Sequence, residues 1–321
     1  MLLDDFSELE NTRLEKIHRM REEGTEPYPT RSAKSMNNAD AVKAFESAEA
    51  KGKAEVPDVV LAGRIRAIRN MGKLCFAHIE DSSGKIQLFL RINELGEEKL
   101  NSFVRDFDLG DFIEASGALT RTRRGEITLM VHDFKMLAKA LYQLPADKDQ
   151  VVDGETVRHA VLSDPETRYR QRYVDLAVNP DVREIFKARA KIVDTVRTYL
   201  DERDYIEVET PILQPIYGGA AARPFTTYHN QLHQELFLRI SFELYLKRLI
   251  VGGMDRVYEI GRDFRNEGVS FKHNPEFTQL ELYEAYTDYH GMMRIAEEMV
   301  SRCAYELNGH YIINYDGNEI D

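Results

Sequence analysis

The residues most able to do chemistry lie between Arg256 and Tyr286, where two strand-like runs flank a polar loop from Gly268 to Pro275 and predict a long hairpin. Successive side chains of a strand point to opposite sides. Parity therefore puts Glu259, Gly261, Asp263, Arg265 and Glu267 on one face of the first run, and Phe277, Gln279, Glu281 and Tyr283 on one face of the second. Val257, Leu280 and Leu282 are read onto the opposite faces. A face so rich in Arg, Glu, Gln and aromatic groups exceeds what a structural sheet requires and is expected to line a pocket. A guanidinium fork can hold a phosphate or carboxylate, a ring can stack on a purine, and carboxylates can pair with an ammonium. A solvated outer sheet, with Arg265 and Glu267 paired across strands, would use the same residues, and parity leaves both possible.

A second cluster lies in residues 58 to about 140, where alternating apolar and polar runs are separated by Gly-containing turns. The runs are Val59 to Ile68, Cys75 to Glu80, Lys85 to Arg91, Phe112 to Leu119 and Glu126 to Leu137, with a more helical piece from Leu95 to Phe107. Five strands with a helix between the third and fourth suit an OB barrel. Parity sends Cys75, Ala77, Ile79, Ile86, Leu88 and Leu90 inward, and Phe76, His78, Gln87, Phe89 and Arg91 outward. Rings that stack on any base, beside an amide that reads an edge, suit unpaired nucleotides. A face covered by another domain would bury the same aromatics.

Around these clusters the elements read as helices and a linker. Ser7 to Glu23 has Leu9, Leu14, Ile17 and Met20 at helical spacing, with Arg13, Lys16, Arg19 and Arg21 elsewhere; this basic surface is either solvated or RNA-touching. A polar linker runs from about Leu144 to Pro165, and Arg168 to Tyr173 fits neither helix nor strand, so a hinge is expected. Asp181 to Arg203 predicts a helix with Ile185, Phe186, Ile192, Val193, Val196, Tyr199 and Leu200 on one stripe. A last helix carries Met292, Ala296, Met299, Val300, Cys303 and Leu307 as a core stripe. The expected fold class is α+β. The domains are a helical appendage over 1–57, an OB domain over 58–143, a linker or hinge over 144–180 and a further domain over 181–321 that carries the long hairpin.

The chain has 321 residues, which suggests two domains plus an appendage. With 43% hydrophobic and 31% charged residues it is globular in composition, and no apolar run reaches bilayer length. The net charge of −12 (43 basic, 55 acidic) argues against general coating of nucleic acid, DNA included, yet leaves local RNA contact open. An acidic start at Met1-Leu2-Leu3-Asp4-Asp5 lacks the form of a secretory signal, so a cytoplasmic location is expected. Two cysteines, Cys75 and Cys303, make neither a disulfide framework nor a four-ligand zinc site and are expected in the core.

Phe264-Arg265-Asn266-Glu267 resembles the second motif of class II aminoacyl-tRNA synthetases, and Tyr205-Ile206-Glu207-Val208-Glu209-Thr210-Pro211 resembles the first. With the OB domain these match the lysine, aspartate and asparagine subgroup. Within it, Arg168 to Leu176, Gly218 to Phe225, Glu243 to Arg248 and His273-Asn274-Pro275-Glu276-Phe277 resemble the lysyl-tRNA synthetase family. The resemblance implies an antiparallel sheet flanked by helices that adenylates lysine with ATP and Mg²⁺ and transfers it to tRNA(Lys). It implies that Arg265 bridges the α-phosphate and the substrate carboxylate, Glu267 lies on the adenine side, His273 meets the γ-phosphate, Asn274 contacts the nucleotide and Phe277 lies under adenine. Gly219, Glu243 and Glu281 would surround the lysine amino group, with Tyr283 near the ε-ammonium. Phe76, Gln87 and Glu126 would hold anticodon bases, and Pro211 would lie in a homodimer interface.

Departures accompany the match. The family's third motif, a Gly-rich helix start ending in Asp-Arg, is not found up to Asp321, nor are the later Asn and Glu positions that complete lysine binding, including the second carboxylate for its ε-ammonium; no metal ligand is assigned within the chain. The resemblance thus implies that 181–321 is a partial catalytic domain, and the expectation is a truncated chain, inactive as given. Ser241-Phe242 stands before Glu243 where a small residue and Pro are usual, and the linker over 151–163 is longer than expected. An aspartate- or asparagine-specific relative is disfavoured because those substrates need a cation where Glu281 and Tyr283 sit. A non-catalytic RNA-binding fragment is the third alternative.

Overall fold

The computed structural model describes residues 6–145, 148–152, 155–159, 162–270 and 272–321. The acidic start, parts of the expected linker, and residue 271 of the polar loop lie outside them. Two compact units divide the chain, the first ending at Asn179 and the second spanning Pro180–Asp321.

In the first unit, α1 (Glu8–Glu22) begins on a capping box in which Ser7 accepts from the Glu10 amide while Glu10 accepts the Ser7 amide at 2.8 Å. Its basic residues mostly face protein. Arg13 is buried and donates to the carbonyls of Ala140 (2.6 Å) and Leu109 (3.1 Å), while Lys16 pairs with Asp108 at 2.8 Å and Arg19 with Asp106 at 2.5 Å. The next helix, α2 (Asn38–Glu49), buries Phe45. Met20, Ala41 and Phe45 belong to the same core as the strands that follow, so both helices pack on the barrel.

Those strands are β1 (Val56–Asn70), β2 (Leu74–Glu80) and β3 (Lys85–Arg91), then α3 (Ile92–Leu95) and α4 (Glu97–Asp106), then β4 (Phe112–Arg121) and β5 (Ile127–Ala138). They close a barrel in the order β1-β2-β3-β5-β4, the arrangement expected of an OB fold. Cys75, Ala77, Ile79, Ile86, Leu88 and Leu90 all point into its core. The intervening helix comes as two pieces, because Gly96 at φ 80° breaks it. The stretch read as a linker holds a hairpin of β6 (Lys148–Val152) and β7 (Glu155–His159), followed by α5 (Pro165–Arg170) and α6 (Arg172–Val178). Here the Arg168 to Tyr173 alternation is helical: buried Asp175 is gripped by Arg168 at 2.9 Å, by Arg172 and by Asn179 at 2.7 Å.

The second unit runs α7 (Pro180–Asp201), β8 (Ile206–Glu207), β9 (Leu213–Gln214), β10 (Thr226–His229), β11 (Gln234–Leu238), α8 (Glu243–Val251), β12 (Arg256–Phe264), β13 (Glu276–Glu284), α9 (Tyr289–Asn308), β14 (Ile313–Tyr315) and β15 (Asn318–Ile320). The hairpin of β12 and β13 is antiparallel, with β8 added in parallel beside β12; β10-β11-β9 and β14-β15 form smaller sheets. One side of the hairpin packs Tyr258, Ile260, Leu280 and Leu282 on Tyr199 and Leu200 of α7 and on Ile295 and Met299 of α9. Val257 is not with them. It has the parity of Glu259, pairs with Tyr283 and packs on Phe242 and Leu246, so the expectation placing it opposite is corrected. The helix stripes are also corrected: Ile185 and Phe186 on α7 and Val300 on α9 are exposed, and Cys303 is only half-buried.

Candidate functional site

The β12–β13 register sets Glu259 opposite Glu281, Gly261 opposite Gln279 and Asp263 opposite Phe277, so the predicted polar face is continuous across both strands. At its loop end, the Arg265 guanidinium lies 5.1 Å over the Phe277 ring and the Arg265 amide donates to the Pro275 carbonyl at 2.9 Å. The Arg265 Nε is buried and makes no hydrogen bond among the described residues. Glu267, His273 and Asn274 are exposed on the loop, His273 with its Nδ1 2.8 Å from the Ser270 hydroxyl. Arg265 and Glu267 form no ion pair among the described residues, in contrast to the solvated-sheet alternative.

At the other end, Glu281 is built as an oriented acceptor. Its Oε1 accepts from the Ser241 hydroxyl at 2.7 Å, Gln279 Nε2 at 2.9 Å and the Phe242 amide at 3.3 Å. Its Oε2 has only the Tyr283 hydroxyl, at 3.5 Å, among the described residues. That oxygen is therefore the open one. Burial, reinforced by Glu281 and Glu243, raises the Tyr283 phenol and keeps it neutral. Ser241 also accepts from the Glu243 amide at 3.1 Å, so the unexpected Ser241-Phe242 pair ties the start of α8 to β13. Glu243 accepts an ammonium, that of Lys247, at 2.7 Å. Gly219 closes the cluster: it sits at φ 88°, and a Cβ there would lie 2.6 Å from Ser241 Oγ and 2.7 Å from Glu243 Cβ.

On this same face a buried guanidinium that parity did not disclose meets two of the carboxylates that it did. Buried Arg239 pairs with Glu259 at 2.6 Å and approaches Asp263 at 3.4 Å, and it donates to the carbonyls of Arg262 (2.9 Å) and Thr210 (3.0 Å). A Cβ on Gly261 would meet its Nη2 at 2.7 Å, so glycine makes room for the guanidinium. Asp263 is fully buried, and neither oxygen makes a hydrogen bond among the described residues. Burial lifts its pKa to about 7, with Arg239 opposing and Glu281 assisting. The available signal for Arg239 was a lone cation inside the apolar run Leu236 to Phe242.

On the barrel, Phe76 and Phe89 stack at 4.6 Å with 6° between planes, directly opposite each other on β2 and β3. Gln87 is nearly buried and gives its Nε2 to Glu126 Oε2 at 2.6 Å, while its Oε1 has no partner. His78 Nε2 lies 2.8 Å from Glu126 Oε1. Phe76, Gln87 and Glu126 are thus on one surface. Pro211 is exposed, among the exposed apolar residues Ile206, Ile212, Leu213, Ile216 and Tyr217. A cavity of about 290 Å³ lies away from all of these, between Arg203, Arg256, Glu284 and Glu298. Among the described residues no group of His, Cys, Asp and Glu converges as metal ligands, and no helix is long and apolar enough to cross a membrane.

Comparison with known families agrees with this geometry. Residues 164–317 match the tRNA synthetases class II (D, K and N), and residues 59–137 match the OB-fold nucleic acid binding domain. The chain therefore carries a class II tRNA synthetase domain of the D, K and N type together with an anticodon-binding type of OB fold. Among individual proteins, it is 50% identical over 318 residues to a lysine–tRNA ligase of Roseiflexus castenholzii, an alignment covering 99% of this chain and 62% of the relative. Lysine–tRNA ligases of Chloroflexus aurantiacus (49%, covering 99% and 62%) and Clostridium tetani (46%, covering 99% and 60%) are similar to the same extent. The chain spans about 60% of the length of these curated relatives.

Proposed function

We propose that the chain serves in a lysine–tRNA ligase, which forms lysyl-adenylate from lysine and ATP and passes the lysyl group to tRNA(Lys). The observation that carries this is the hairpin face itself: a guanidinium over an aromatic ring at one end, and an oriented carboxylate with one open oxygen at the other. In the first step a lysine carboxylate oxygen attacks the α-phosphorus and the bond to pyrophosphate breaks. Arg265 would neutralise the charge that builds on the phosphorus oxygens, with Phe277 under adenine and Glu267, Asn274 and His273 along the nucleotide. Gly219, Glu243, Glu281 and Tyr283 would hold the two ammonium groups, a set that repels an aspartate side chain. Positioning and electrostatics carry the step, and no protein nucleophile is needed. Mg²⁺ keeps most of its waters and is held chiefly through phosphates, so it would arrive with ATP and needs no closed protein cage.

In the second step a terminal tRNA hydroxyl attacks the lysyl carbonyl and AMP leaves. Phe76, Gln87 and Glu126 would grip the anticodon, as the open stacking surface beside a polar reader suits unpaired bases. Exposed apolar residues around Pro211 support a homodimer interface there. A tRNA partner supports a cytoplasmic place of action, and the proposed reaction calls for neither DNA nor a membrane.

The deciding measurement is ATP–pyrophosphate exchange with lysine, aspartate or asparagine as the amino acid. Exchange should depend on lysine alone; exchange with aspartate or asparagine would refute the assignment. In the full-length chain, Arg265→Ala should abolish exchange and leave anticodon affinity nearly intact. Phe76→Ala should weaken tRNA charging and spare exchange. Loss of exchange in Phe76→Ala, or loss of anticodon affinity in Arg265→Ala, would contradict the division of labour between the two faces.

A further inference from the structure

On the barrel face, His78 sits in the polar group with Gln87 and Glu126. His78 stands on β2 directly opposite Gln87 on β3, and its Nε2 lies 2.8 Å from one oxygen of Glu126 while Gln87 Nε2 donates to the other at 2.6 Å. Glu126 comes from the turn before β5, with its amide held by the Thr122 hydroxyl at 3.1 Å. Its side chain is 48% exposed, and an exposed glutamate ordinarily samples several rotamers. Here two donors from neighbouring strands clamp both oxygens. The consequence falls on Gln87. An isolated glutamine can present either its oxygen or its nitrogen to a ligand. With the nitrogen committed to Glu126, the oxygen is left buried and accepts no hydrogen bond among the described residues.

We infer that His78 is a positioning residue for nucleotide selection. By donating its Nε2 proton to Glu126 it locks the carboxylate over Gln87, and that lock sets the Gln87 amide as an acceptor toward a base edge offering N–H. This rests on the proposed RNA-reading role of the barrel face. His78 acts through Glu126 and needs no contact with the base. Without it, Glu126 turns toward water, Gln87 regains both orientations, and the site tolerates edges that offer an acceptor as well as those that offer a donor. Selectivity suffers while phosphate-derived affinity stays, because phosphate contacts carry no sequence information.

The test measures binding of a 17-nucleotide anticodon stem-loop of tRNA(Lys), and of the same hairpin with each anticodon base replaced in turn, to the full chain. His78→Phe keeps an aromatic ring and removes the donor; His78→Gln restores an N–H. For His78→Phe the ratio of affinities between native and best-discriminated replaced loop should fall roughly tenfold, the size of one well-made polar contact to a base. The salt slope should stay unchanged and the native loop should keep its affinity within about threefold, the rest of the fall coming from tighter binding of the replaced loop, and His78→Gln should recover most of the ratio. An unchanged ratio for His78→Phe, with Phe76→Ala and Gln87→Ala both losing discrimination, overturns the role of His78 alone. If those two variants also discriminate normally, the barrel face is not the reader and the underlying function fails with it. A uniform loss of affinity for all loops in His78→Phe would mark a merely structural side chain and would equally overturn the proposal.

Discussion

Asp263 illustrates how single residues in this protein are governed by their surroundings. Its carboxyl is raised from 3.8 to about 7, because burial disfavours the charged form more than the Arg239 guanidinium favours it. A carboxyl with a raised folded pKa is well tolerated below its unfolded pKa, and stability is lost as pH climbs from about 4 through 7. The full difference corresponds to at most about 4 kcal/mol. Asp263→Asn removes the titration while Glu259 still pairs Arg239. Chemical denaturation at pH 4.5 and pH 8 should show the variant gaining about 2–4 kcal/mol on the parent between those values. Parallel pH profiles for the two proteins would mean that Asp263 is not the titrating group.

At the scale of elements, the polar face depends on how α8 is brought to the hairpin. Ser241 bridges the first amide of that helix and the Glu281 carboxylate, and Gly219 presses against both Ser241 and Glu243. Gly219→Ala would force an L side chain into φ 88° and into contacts under 3 Å, costing about 1–3 kcal/mol and pushing Glu243 aside. The expected signature is a several-fold rise in the lysine KM for exchange with the ATP KM little changed. An equal rise in both would show that the loop supports the nucleotide rather than the amino acid. Ser241→Ala should act in the same direction more weakly, since Glu281 Oε1 keeps Gln279 and the Phe242 amide.

For the molecule as a whole, the two units have separate cores. One core joins α1, α2 and the barrel; the second unit's cores lie on the two sides of the hairpin. Phe45→Ala, which empties a fully buried position, should cost about 3–5 kcal/mol. Calorimetry should show the barrel transition falling while the transition of residues 180–321 holds its temperature. Equal displacement of both would mean that the units unfold cooperatively as one. The same experiment tests whether residues 38–49 are an appendage, because a dispensable helix would leave barrel stability unchanged.

Much of this was legible in the chain. Barrel strands, the hairpin and its polar face follow from a period of two, a local property that any paired strand must obey. The motifs around Arg265, Glu281 and Phe76 were legible for a related reason: chemistry demands particular side chains at short spacing. The residue types that line both faces were therefore determined by sequence alone. Tertiary structure decided the rest, namely which helix faces found partners, that Lys16 and Arg19 of α1 pair with Asp108 and Asp106, and that Arg239 is buried over Gly261. It also decided that His78 reaches Glu126 across 48 residues of chain. These depend on which distant segments meet, and desolvation and ion pairing act through space, where periodicity along the chain carries no information.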